Sequence, residues 1–110
     1  MLPLFMIKDT HGRTIRLPYE RWKHILREHP DVHNLEELQN TILHPTTMKP
    51  SKYDPVHVVW YYRYNKIRKH YLFVSVKYLN DEGFIITSYY MRTIQWNKKC
   101  LSIMILKAIS

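Results

Sequence analysis

Two glycines and one cysteine are all that this chain of 110 residues carries of either. So few glycines exclude, in practice, the Gly-rich loops of P-loop and dinucleotide-binding folds, which need several positions without a Cβ. A single Cys100 cannot build an internal disulfide framework or a cysteine-based metal cluster, and it suits a reducing compartment. The apolar end, Leu101 to Ile109, is interrupted by Lys107 and falls well short of the roughly twenty residues that span a bilayer. The opening Met-Leu-Pro-Leu-Phe-Met-Ile is short and lacks the basic start of a secretory signal. A cytoplasmic protein without a membrane segment is the expectation.

Acidic residues are scarce as well. Nine Asp and Glu stand against seventeen Lys and Arg, a formal charge of +8. Residues 1–17 carry three basic and one acidic group, residues 18–43 three and five, and residues 44–110 eleven and three, so the surplus belongs to the strand-rich part. It favours an anionic partner such as nucleic acid or a membrane surface, although basic side chains also simply keep small domains soluble. Nine Tyr and three Trp interleave with these cations. They suit base stacking beside phosphate contacts, and they equally suit the filling of a core.

The length and a 45% hydrophobic content predict one domain over 1–110, with its core from 14 to about 95 and a strand or tail at 100–110. Residues 4–8 and 14–17 flank a turn at Asp9-Thr10-His11-Gly12-Arg13, a small hairpin. Pro18 opens a helix that Pro30 stops, with Trp22, Ile25, Leu26 and His29 as a core stripe and Arg21, His24 and Glu28 along its edge. Asn34 and Glu37 form a capping-box-like start for a second helix ending near Leu43. From His44 to Pro55 three prolines indicate a loop or irregular edge. Lys49, Lys52 and Tyr53 there are candidates for substrate contact, with a solvated surface loop as the simpler reading.

Val56 to Tyr64 reads as a strand, and a basic connection through Lys66, Arg68 and Lys69 leads into a hairpin over Tyr71 to Tyr90. The fold class expected is α+β: an N-terminal hairpin and two helices packed on an antiparallel sheet of three to four strands. Alternation turns Leu72, Val74 and Val76 inward and Tyr71, Phe73, Ser75 and Lys77 outward. After a loop at Asn80-Asp81-Glu82-Gly83, Ile85, Thr87 and Tyr89 oppose Phe84, Ile86 and Ser88. One register unites Lys77, Thr87 and Tyr89 on the outer face, a cation and two hydroxyls suited to an anion.

RNA is cut without a metal when one group takes the 2′-hydroxyl proton, a cation stabilises the phosphorane and an acid protonates the leaving 5′-oxygen. Imidazole does both proton jobs near neutrality. His24 and His29 diverge by about 140° on an ideal helix, so His24 ranks as the acid or base and His29 as a second member or a structural support. Lys77 alone reads as an ordinary strand-end lysine.

Motif order adds to this. Leu17-Pro-Tyr-Glu-Arg-Trp-Lys-His-Ile-Leu-Arg-Glu-His-Pro30, Thr41-Ile-Leu-His-Pro45, Tyr61-Tyr62-Arg63, Val74-Ser-Val-Lys77 and Phe84-Ile-Ile-Thr-Ser-Tyr89 together resemble the phage-associated nucleases of the barnase/EndoU/colicin/RelE (BECR) superfamily. The resemblance covers residues 14 to about 95. It implies metal-independent endoribonuclease activity without a cofactor, in a toxin or phage-associated effector. It assigns His24, Lys77, Thr87 and His29 to catalysis, and Arg63, Tyr89 and Tyr61 to substrate binding. RNA is the implied partner, with room for an antitoxin or immunity protein; the apolar C-terminal segment suggests a homodimer edge. A non-catalytic RNA-binding or inhibitory protein on the same scaffold is the alternative. Ser88 departs from the expected Ala, Met91 and Arg92 stand where small or polar residues are usual, and no glycine follows the last strand.

Overall fold

Pro18 holds an extended backbone, and its carbonyl accepts from the Trp22 N–H at 3.0 Å, which starts α1 (Tyr19–Glu28) without a side-chain cap. The helix ends at His29, one residue before Pro30, which cannot continue the hydrogen-bond ladder. A second helix, α2 (Leu35–Leu43), begins where Asn34 Oδ1 accepts from the Glu37 N–H at 3.2 Å. Only that half of the expected capping box forms. The Glu37 carboxylate instead accepts from the Tyr90 hydroxyl at 2.7 Å and the Asn65 amide at 2.9 Å. The structure, a computed structural model, describes residues 4–94.

Six strands follow the chain: β1 (Phe5–Lys8), β2 (Thr14–Leu17), β3 (Thr47–Pro50), β4 (Val58–Asn65), β5 (His70–Leu79) and β6 (Glu82–Met91). They form one sheet in the order β1-β2-β6-β5-β4-β3. The α+β class stands, but the expected antiparallel sheet of three to four strands becomes a mixed sheet of six. Two joins account for this. β2 lies parallel to β6 through Thr14–Glu82, Ile15–Gly83 and Arg16–Phe84, so the N-terminal hairpin belongs to the main sheet. The proline-rich stretch supplies β3 along β4, an edge position where Pro50 is tolerated.

The central hairpin also differs in detail. Its turn is only Asn80–Asp81, both at positive φ (53° and 67°), so Glu82 and Gly83 belong to the strand rather than to a four-residue loop. The register shifts between Ser75, which faces Thr87, and Val76, which faces Ile85, leaving Ile86 as the extra residue of a bulge. Strict alternation therefore fails on β6. Ile85 enters the core at 0% exposure while Thr87 and Tyr89 stay on the opposite face, now joined by Phe84.

One face of the sheet is covered, with α1 packed against β6 and α2 against β4 and β5. Trp22, Ile25, Val32, Leu38 and Ile42 meet Ile15, Leu17, Leu72, Val74, Val76 and Ile85 there. Ser88 is fully buried on this face, and its hydroxyl donates to the Phe73 carbonyl at 2.7 Å, which accommodates the departure from Ala. Among the described residues no helix is long and apolar enough to cross a membrane. The segment 100–110, expected as a strand, tail or dimer edge, and the stretch 95–99 lie outside the described residues.

Candidate functional site

The face that the helices leave open gathers aromatic and cationic side chains, and its middle is buried: Lys49, Tyr62, Phe73 and Ser75 are 3–5% exposed. Cα partners define three rows across it: Val58, Lys77, Phe84, Arg16 and Met6; then Lys49, Trp60, Ser75 and Thr87; then Thr47, Tyr62, Phe73 and Tyr89. Ring contacts tie the rows together, Trp60 to Phe73 at 5.6 Å, Tyr62 to Phe73 at 5.3 Å and Phe73 to Tyr89 at 4.7 Å. The Lys49 ammonium lies 5.6 Å from the Trp60 ring centroid and 5.7 Å from that of Tyr62. A depression of about 410 Å³, lined by Thr46, Thr47, Tyr71, Thr93 and Ile94, borders the same face.

Helix α1 ends at the margin of this surface. β2 pairs with β6 only as far as Phe84, and the His29 ring stands 5.2 Å from that of Tyr89. Thr87 and Tyr89 are two residues apart on one strand face, and Lys77 is the diagonal neighbour of Thr87. The result is an arc of imidazole, phenol, hydroxyl and ammonium, each half-buried. Burial pushes the Tyr89 hydroxyl up from its ordinary pKa, with Tyr53 contributing, so it remains a proton-bearing donor at neutral pH. Near Lys77, burial pushes the Asp54 carboxyl up, but the His57 N–H and ring and the Lys77 ammonium outweigh it and hold the group below its ordinary range.

Three expected site residues lie elsewhere. His24 is exposed and makes no hydrogen bond, ion pair or ring contact among the described residues. On an ideal helix it sits about 100° from Ile25 and about 160° from Trp22, the two buried residues of α1, so the covered side of α1 carries it outward. Arg63 pairs with Leu72 on the covered face and donates through Nη1 to the His44 carbonyl at the end of α2. It closes a helix C-terminus rather than facing a phosphate. Tyr61 is buried at 3% exposure, its hydroxyl 2.6 Å from that of Tyr78, and burial raises its pKa first of all. Alternation along β4 decides this: Tyr61 and Arg63 point to the helices, while Trp60 and Tyr62 point away.

The Tyr61–Tyr78 pair continues into the N-terminal turn. Tyr78 donates to Asp9 Oδ2 at 3.0 Å, and Arg13 Nε donates to the same oxygen at 2.8 Å. Burial pushes the Asp9 carboxyl up, but the Arg13 and His11 N–H groups, the Tyr78 hydroxyl and the Arg13 charge outweigh it and hold the carboxyl below its ordinary value. This network joins elements and offers nothing to a ligand. Among the described residues no three His, Cys, Asp or Glu side chains gather as a metal-ligand set. Trp60 and Tyr62, which join Phe73 and Ser75 on the open face, were not singled out by motif reading, although the alternation of Trp60, Tyr62 and Tyr64 was their signal. No protein-family model, curated protein or solved structure matches the chain.

Proposed function

We propose that the chain is a metal-independent endoribonuclease of BECR type acting on its open sheet face, with His29 rather than His24 as the acid-base group. The observation that carries this reading is the His29 ring at 5.2 Å from Tyr89, on the strand face that also holds Thr87, to which Lys77 is diagonal. In the reaction, the 2′-oxygen of the substrate loses its proton and bonds to phosphorus. The bond from phosphorus to the 5′-oxygen breaks, and that oxygen takes a proton, leaving a 2′,3′-cyclic phosphate and a 5′-hydroxyl. His29 is the group for proton transfer. Lys77 stabilises the charge that builds on the phosphorane, and the Thr87 and Tyr89 hydroxyls orient the phosphate. The part-exposed Arg16 and Lys77 on this face suit a polyanion, and the part-exposed Trp60 ring suits a base.

The test is cleavage of RNA by the purified chain in excess chelator, with analysis of the ends. Cyclic phosphate ends, lost in His29→Ala and kept in His24→Ala, are the expected result. Cleavage that stops with chelator, or that survives His29→Ala and fails in His24→Ala, overturns it. One observation favours a second reading, RNA binding without cleavage: His24 is exposed and stands away from the arc. Salt-dependent RNA binding with no cut product under any condition selects that alternative.

A further inference from the structure

Tyr53 is 80% exposed, yet it is held rather than loose. The buried Ser51 accepts through Oγ from the Tyr53 N–H at 3.1 Å and the Asp54 N–H at 3.4 Å, and its own N–H donates to the Val58 carbonyl at 2.9 Å. The turn thus presents the ring in one place. It meets Trp60 edge to face, with centroids 6.2 Å apart and planes at 66°, a contact that leaves much of the Tyr53 ring to solvent. Lys52 stands 5.0 Å from the Tyr53 centroid and Lys49 5.6 Å from that of Trp60. Trp60, Ser75 and Thr87 share one row, so this aromatic corner lies across the face from the arc.

We propose that Tyr53 and Trp60 form a stacking site for one nucleobase of a single-stranded RNA, at the rim of the open face and next to the phosphate held by Lys77 and Thr87. The inference rests on the open face as the RNA-binding surface and names the part of the substrate that the proposed site grips. A single-stranded ligand is the one whose base can leave its stack and reach a protruding ring. The exposed Lys52 ammonium beside Tyr53 then meets a phosphate next to that base, a complementarity that an apolar protein partner lacks. The hydroxyl of Tyr53 has no necessary part in stacking, and the ring does.

The probe is a short RNA, 2′-O-methylated throughout to prevent cleavage and carrying 2-aminopurine at one position at a time. It is titrated with the full chain and with Tyr53→Ala and Tyr53→Phe. Fluorescence quenching concentrated at one position is expected, with affinity lowered about 5- to 150-fold in Tyr53→Ala and retained in Tyr53→Phe. An abasic site at that position should erase the difference between the chains. Tyr53 is exposed, and an unchanged melting temperature confirms that the variant is folded. Equal affinity of Tyr53→Ala and the natural chain, or the same loss with the abasic RNA, overturns the stacking site. A parallel digestion of unmodified RNA in chelator separates the two readings. Cutting with a Tyr53→Ala chain of undiminished affinity sinks the stacking site alone, quenching at Tyr53 without cutting sinks the nuclease alone, and no RNA binding sinks both.

Discussion

The two faces of the sheet are made from the same strands, residue by alternate residue, and they treat polar atoms in opposite ways. On the covered face the Tyr61 and Tyr78 hydroxyls run to Asp9, Ser88 bonds to Phe73, Tyr90 to Glu37 and Arg63 to His44. On the open face the Thr87 and Tyr89 hydroxyls have no hydrogen-bond partner among the described residues. Groups shut away from water must be satisfied internally, or each costs about 1–3 kcal/mol; groups beside water are free of that demand. The difference teaches that residue type says little here. Tyrosines and arginines occur on both faces, and the face decides which groups each one touches.

The strongest way to break the comparison is through activity. His29→Ala and Lys77→Ala should each lower RNA cleavage on the order of 10²–10⁴-fold while leaving the melting temperature nearly unchanged. A fall in melting temperature equal to that of a core variant would assign these residues to the fold instead. Leu72→Ala, on the covered face, should cost about 2–5 kcal/mol in urea unfolding and leave the activity of the folded fraction intact.

Tyr78→Phe is expected to cost about 1–3 kcal/mol, since it removes the hydroxyl between Tyr61 and Asp9. The same network sets an acid limit. The folded-state pKa of Asp9 lies below its ordinary value of 3.8, so its contribution is complete above that pH and disappears as pH falls through the folded value. Urea titrations between pH 6 and about pH 2.5 should show this loss, reduced in Asp9→Asn. The smallest effect should come from Arg63→Ala, about 0.5–1.5 kcal/mol of stability with RNA affinity unchanged. Lys77→Ala should instead weaken RNA binding and lower its salt dependence by about one phosphate. Weakened binding in Arg63→Ala would return that arginine to the open face.

Both helices, the Asn34 cap of α2 and the inward run Leu72, Val74, Val76 were legible, because spacing fixes which side chains share a side. The shared face of Lys77, Thr87 and Tyr89 follows from the same alternation, although Tyr89 lies two rows from Lys77. The bulge at Ile86 could not be read, because an inserted residue leaves no mark in a run as uniformly β-prone as Phe-Ile-Ile-Thr. Nor could the placement of the two histidines, which depends on where α1 ends against the sheet, a tertiary fact: the His29 ring meets Tyr89 and His24 is exposed. Tyr61 and Arg63 were misplaced through reading a motif as a unit, where a strand sends its neighbours to opposite sides.

The parallel pairing of β2 with β6 has a consequence for the order of assembly. Strands β4, β5 and β6 zip together through two local hairpins, whereas β2 must wait for a partner made almost at the far end of the described chain. Local closures run in microseconds and distant ones lag behind the entropy of the intervening loop. The meander should therefore form early, with the first two strands arriving last. Amide protons of Ile15 and Arg16 should accordingly exchange sooner than those of Val74 and Val76 under mild denaturant.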